Sequence, residues 1–323
     1  MPVKSTAAAR SRSCKPPTSN PVTRNRWPAA ILLLVTFLVY IPTLRFQFVY
    51  DDMHQVVGNS HIQSWTYLPD YFTKHVWSQS ESYNVRYYRP LFLVWLRLNH
   101  ALFGLEPAYW HLATVAAHAL ATLLVYVLVR SLLCEWTTAL LAALFFGLHP
   151  VHVEVAAWVS AASEALLAAA LLGSLIWYGS RERGRLRTAG SLALYAVALL
   201  LKETAIVFPA LILCFTCLFP AGETAHHKRA RGAFRQTLPF LLLAVTYLIV
   251  RWTVLQGIVK STTPLGLGSI LLTIPSVLLL YGRLLLWPTG LSPFYNVPLV
   301  QQPGMANFLL PLLAVVAAAG LLA

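Results

Sequence analysis

The sequence predicts an all-α, polytopic membrane protein: a helical bundle of about nine spans with an amphipathic first external loop. Three observations predict it. Hydrophobic residues make up 58% of the 323 residues, charged residues only 11%, and mean hydropathy is +0.63. That is far too apolar for a soluble domain. The apolar residues fall into runs separated by short polar stretches, and the basic residues cluster in alternate stretches.

Residues 1–26 form a basic tail. Lys4, Arg10, Arg12, Lys15, Arg24 and Arg26 precede the first apolar run, and no acid occurs before Asp51. Such a tail reads as a disordered cytoplasmic orientation signal. Nucleic-acid binding is the other use of a basic run, and no nucleic acid is expected as a partner here. Ile31–Tyr40 has the look of a signal-peptide core, but Ile41-Pro42-Thr43-Leu44-Arg45 offers no small-x-small cleavage site, so the run reads as an uncleaved anchor.

Residues 27–323 read as one transmembrane domain. Its apolar runs lie near 28–44, 112–130, 137–150, 163–179, 188–201, 204–219, 236–254, 270–287 and 307–323. With the N-terminus in the cytoplasm, Arg181–Arg187 and Lys228–Arg235 both fall inside, as the positive-inside rule requires. That count treats Pro90–Gly104 as an interfacial amphipathic helix. As a span it would bury Arg97 at its centre, at a cost of about 2.5–3.5 kcal/mol, and would turn every later loop over. Arg97 and His100 are expected one turn apart on its polar side. The first external loop then runs over 45–110. By strict alternation 290–307 is cytoplasmic, although it contains no positive charge. The last run ends flush with Ala323, so a C-terminal soluble part is expected beyond this sequence. Cys214 and Cys217 form a C-x-x-C within an apolar run, where packing is the expected role.

Acid is scarce: eleven residues in all, three of them aspartates. Asp51 and Asp52 are adjacent, seven residues after the first run, where the chain leaves the bilayer. A carboxylate pair there is costly unless solvated, paired or used. It reads as a general base for an acceptor hydroxyl, or as a loop start or helix cap. Arg86-Tyr87-Tyr88-Arg89-Pro90 places two arginines at the boundary, suited to forked hydrogen bonds with a lipid phosphate or to ordinary anchoring. His149, His152 and Glu154 follow the third run. They offer polar contacts to a substrate or close a helix end, and their spacing is no metal signature. Trp158 is placed to stack on a sugar or to sit in an aromatic belt. Lys202-Glu203 puts two charges between apolar runs, as an ion pair or as a phosphate ligand.

Taken together, these residues resemble the GT-C superfamily of membrane glycosyltransferases, in the branch of the transmembrane-and-tetratricopeptide-repeat O-mannosyltransferases and their bacterial relatives. The resemblance runs through Tyr50-Asp51-Asp52, Asn59, Tyr88-Arg89-Pro90-Leu91, Asn99, Phe103-Gly104, Pro107 and His111. It continues through His149–Glu154, Trp158-Val159-Ser160, Leu201-Lys202-Glu203 and Leu284–Tyr295. It implies a GT-C-like helical fold with the active site at the external face, a bacterial periplasmic face or an endoplasmic-reticulum lumenal one. It implies a polyprenyl- or dolichyl-phosphate sugar as donor, probed most naturally with mannose, and a protein Ser/Thr hydroxyl as acceptor. The first acid of the pair, Asp51, would be the base and Asp52 its helper, with inversion at the sugar. Arg89, Lys202 and Arg86 are then the expected donor-phosphate ligands. His149, His152, Glu154, Trp158 and Glu203 are expected to line the sugar or acceptor site, with no metal and no cofactor. Ala161-Ala162-Ser163-Glu164 departs from the Gly-Arg-x-Asp stretch of relatives, and the repeats have no counterpart in this sequence. A lipid or glycan acceptor, or a non-enzymatic transporter or flippase, stays open beside this reading.

Overall fold

The computed structural model describes residues 26–78, 87–180, 184–219, 226–256 and 266–322. The first apolar run is helix α1 (Trp27–Tyr40), continued by a 3₁₀ turn to Arg45. The chain then makes a series of short helical turns and α2 (Leu68–Thr73), followed by α3 (Pro90–Phe103). Pro90 sits in the first turn of α3, where its missing N–H costs nothing. Gly104 ends α3 at φ +60°, ψ −130°, a conformation that only glycine adopts freely. Its carbonyl accepts from the Trp110 indole at 3.0 Å.

α4 (Pro107–Leu133) is a continuous helix of about 40 Å at 1.5 Å per residue. α1 and α5 (Trp136–Leu148) pack on it around Leu32, Tyr126, Ala139 and Ala143. Glu135 starts α5 by accepting the backbone N–H groups of Thr137 and Thr138. His149-Pro150 breaks that helix, and the chain bends by 48° into the segment that holds α6 (Val153–Ala157). α7 (Ala162–Tyr178) and α8 (Arg185–Leu201) pair tightly. Buried Ser174 and Ser191 exchange hydrogen bonds with each other's carbonyl at 2.7 and 2.9 Å. Small hydroxyl residues let helices approach where no water competes. α9 (Phe208–Leu218) and α10 (His226–Leu255) close a core around Tyr195, Phe208, Ile212 and Phe240. α11 (Leu267–Leu286) and α12 (Leu310–Leu322) follow; the Val300 amide donates to Thr273 Oγ1 and Ser276 donates to the Asn307 carbonyl.

The all-α, membrane-spanning class is as the composition predicts. All nine apolar runs are helical. Five of the described helices are long and apolar enough to cross a membrane, or six if the bent 136–157 pair is one span. The others are short: the 14 residues of α3 reach about 21 Å, against the roughly 30 Å of a bilayer core. α3 is therefore a covered helix. It packs Phe92, Leu93 and Leu96 against Val56, Ile62, Tyr71, Trp77, Trp110 and Val159, so the first loop has its own core. Arg97 is not on an open polar side, as expected from sequence. It is buried, with its guanidinium 4.4 Å from the ring centroid of Trp65, a cation–π contact, and its Nε has no hydrogen-bond partner among the described residues.

A second difference concerns topology. The His149 ring donates to the Leu285 carbonyl at 2.9 Å. That places the C-terminal end of α11 at the level of His149, the same end of the bundle as the 45–110 loop. Strict alternation puts it at the opposite end. The lack of positive charge in 290–307 agrees with the contact and not with the count.

Candidate active site

The acid pair separates because of one strained residue. Tyr50 holds φ at +49°, in the left-handed region that bulky side chains avoid, at a cost of about 1–3 kcal/mol. The turn it makes sends neighbouring side chains in opposite directions. Asp52 goes inward and is fully buried. Its Oδ1 accepts from the Ser160 amide at 2.8 Å and from the Ser160 hydroxyl at 2.5 Å, and its Oδ2 from the Val49 amide at 3.2 Å. This ties the first loop to the turn before α7. Burial pushes the Asp52 carboxyl above its ordinary range, against the pull of those hydrogen bonds.

Asp51 goes outward and is half-buried. Burial pushes its carboxyl up too, against the nearby charges of His54 and Arg89. It is the acid of the pair with a free face. Asn59, by contrast, is absorbed locally: it accepts from the His61 amide at 3.1 Å and donates to the Gln55 carbonyl at 3.2 Å.

Arg89, at the start of α3, is gripped by Glu203 from the turn after α8. Nε and Nη2 donate to the two carboxylate oxygens at 2.9 and 2.6 Å. Tyr87 stacks on the guanidinium at 4.3 Å, and Tyr247 of α10 donates to the Tyr88 carbonyl at 3.2 Å. Burial works against both charges of the pair. Their mutual hydrogen bonds prevail, holding Arg89 above and Glu203 below their ordinary pKa values. Lys202 bonds to Glu164, in the first turn of α7. The adjacent Lys202 and Glu203 therefore each take a partner from elsewhere in the chain. Glu154 lies within the field of Glu164 and Lys202, and Glu164 within that of Arg89.

Asp51, Arg89, Glu203, Lys202, Glu164 and Glu154 thus form one cluster, drawn from the first loop, α6, α7 and the end of α8. These six are four acids and two cations, and Arg251 of α10 adds a further cation that acts on Tyr247 together with Arg89 and Glu203. Trp158 stands at its edge, with its ring edge-on to Tyr50 at 6.1 Å and its indole nitrogen buried without a partner among the described residues. Arg86 lies outside the described residues.

The histidines form a separate group. His149 Nδ1 accepts from the Val151 amide at 3.2 Å and Nε2 donates to Leu285, so neither ring nitrogen is left for a substrate. His152 packs against Phe146 and His118, with ring centroids 4.4 and 5.5 Å away. Two residues that sequence reasoning left out of the site, Ser160 and His54, belong to it, and Glu164, which the sequence puts within reach of the same face without a role, gains one. Ser160 holds Asp52, Glu164 holds Lys202, and His54 stands three positions after Asp51 on the helical turn that follows. The spacing of His54 was a readable signal; the pairings of Ser160 and Glu164 span 108 and 38 residues and could not be read as pairs.

Fold and site together define a multi-pass, all-helical integral membrane protein with a charged cluster at one end of its helices. Known proteins give its kin. Over 207 residues the chain is 35% identical to protein O-mannosyl-transferase Tmtc1 of Drosophila melanogaster, covering 62% of this chain and 24% of that protein. It is 32% identical over 224 residues to protein O-mannosyl-transferase TMTC1 of Mus musculus, covering 64% and 24%. It is 25% identical over 294 residues to mouse protein O-mannosyl-transferase TMTC3, covering 87% and 30%. These are relatives in the O-mannosyltransferase branch to which the motifs point. The chain spans about a quarter of the length of the first two. No family model and no solved structure matches it.

Proposed function

We propose that this chain carries the active site of a glycosyltransferase that moves a sugar, mannose or a similar hexose, from a polyprenyl or dolichyl phosphate to a Ser/Thr hydroxyl of a protein. The observation that carries the reading is Asp51: an acid with a free face, within the field of Arg89 and His54 at the end of a helical bundle. Asp51 takes the proton from the acceptor hydroxyl. The hydroxyl oxygen attacks the anomeric carbon as the bond from that carbon to the phosphate oxygen breaks, which inverts the configuration. Polyprenyl phosphate leaves as an anion toward Lys202 and Arg89, whose charges count for more as water is excluded. The orphan indole N–H of Trp158 offers a donor to a sugar hydroxyl. Asp52 acts by holding the loop, not by touching substrate. The site works from the external or lumenal face and uses no metal.

The test is transfer from polyprenyl-phospho-mannose to a Ser/Thr peptide by purified protein, with a lipid acceptor run in parallel. Asp51→Asn should lower kcat by about 10²–10⁴-fold, the usual worth of a general base, while saturating chelator leaves the wild type unchanged. Full transfer by Asp51→Asn removes the base assignment. Transfer to the lipid alone moves the reading to that acceptor.

A further inference from the structure

The two cations of the cluster are held in different ways. Arg89 is forked by both oxygens of Glu203, and the two side chains are 13% and 24% exposed. Lys202 meets a single oxygen of Glu164; the lysine is 15% exposed and the acid 41%. So the second cation lies inside and its anion outside. A forked guanidinium–carboxylate pair resists exchange. A one-point ammonium pair with a solvent-facing acid exchanges partners easily.

Charge balance gives this asymmetry a consequence. Asp51, Glu154, Glu164 and Glu203 outnumber the ion-paired cations Arg89 and Lys202, so a phosphate approaching Lys202 meets carboxylate charge first. At Lys202 it gains the ammonium only where Glu164 lets it go. Glu203 is committed through both oxygens. Asp51 and Glu154 hold no cation by a direct bond among the described residues. Glu164 is the acid that can leave, and Lys202 the cation it frees.

We propose that Glu164 is the placeholder for the donor's phosphate: it occupies Lys202 in the resting site, is displaced when the lipid-linked phosphate binds, and returns to expel polyprenyl phosphate after transfer. Glu164 is a positioning residue and touches neither sugar nor acceptor. The inference rests on the function proposed above.

The experiment measures binding of a polyprenyl monophosphate to the full chain in detergent, alongside transfer kinetics. Glu164→Gln should bind it about three- to tenfold more tightly, the scale of one partly exposed ion pair. Its KM for the polyprenyl-phospho-sugar and its kcat should both fall, because product leaves more slowly. Glu164→Asp, whose carboxylate reaches less far, should lie between Gln and wild type, and keeps the test open should the Gln protein not fold. Lys202→Gln should bind weakly, and adding Glu164→Gln to it should restore nothing. A folded Glu164→Gln protein with unchanged or weaker binding makes Glu164 a structural partner and overturns the proposal alone. Wild-type protein that ignores polyprenyl phosphate overturns the proposal together with the function beneath it.

Discussion

Asp51 and Asp52 are one peptide bond apart and chemically alike, yet they do different things. The left-handed Tyr50 turn decides which acid is buried and which is free. The difference has a pH signature. A base works only when ionised, so transfer should fail as pH drops through the Asp51 pKa. Burial lifts that pKa above the ordinary aspartate value of 3.8. The acid limb of kcat/KM should therefore lie above the usual aspartate range. His54→Gln should move it higher still, because the histidine's charge favours the carboxylate. A limb that ignores His54 assigns it to another group. The Arg89–Glu203 pair has the opposite sign. Glu203 is held below its ordinary value, so its contribution to stability is present above the usual glutamate range and is lost as pH falls through the lowered pKa. Activity should fade before the pair comes apart. The identity of Asp51 as the acid to watch was legible from composition and position. Its partition from Asp52 was not, because it depends on a backbone angle and on Ser160, 108 residues away. Likewise Lys202-Glu203 reads as a self-contained pair until long-range packing hands each charge to a different helix.

At the level of helices, apolar runs foretold nearly every element, since membrane helices declare themselves by length and hydropathy. What they did not foretell is how closely α1, α4 and α5 meet. At Gly147 of α5 the neighbouring helices leave no room for a side chain. A methyl group there would come within 2.6 Å of Thr122 Cγ2 and 3.3 Å of Thr36 Oγ1. Neither threonine can turn away at no cost: Thr122 bonds to the His118 carbonyl at 2.9 Å and Thr36 to the Leu32 carbonyl at 2.8 Å. The Gly147 carbonyl itself meets His118 Nε2 at 3.0 Å. Gly147→Ala should cost about 1–3 kcal/mol by overpacking, a loss of several degrees in a thermal melt in detergent. Gly232→Ala, with open space around it, serves as the control. Equal melting of the two proteins would mean that α5 slides to make room. The same substitution should depress transfer, since α5 leads directly into His149 and the α6 segment that carries Glu154.

Across the whole molecule, the charged cluster sits where the ends of α1, α5 and α8 and the starts of α4, α7 and the turn before α9 come together. Arg185 and Arg187, used for orientation, open α8 at the other end, and Arg130 closes α4 there as well. The last part of the chain resists this sorting. There the His149–Leu285 hydrogen bond is the arbiter. It assigns 290–307 to the face of the cluster, so the Leu284–Tyr295 stretch of the family resemblance joins the other motifs instead of lying a bilayer away. The assignment is open to a direct check in sealed vesicles with a membrane-impermeant maleimide on a cysteine-free background. Ser60→Cys in the first loop and Asn296→Cys after α11, both exposed, should label from one and the same side. Ser131→Cys at the far end of α4 should label only when the vesicles are opened or inverted. Labelling of Asn296→Cys together with Ser131→Cys would restore the alternating count, detach α11 from His149, and take 290–307 out of reach of any lipid phosphate bound at Lys202.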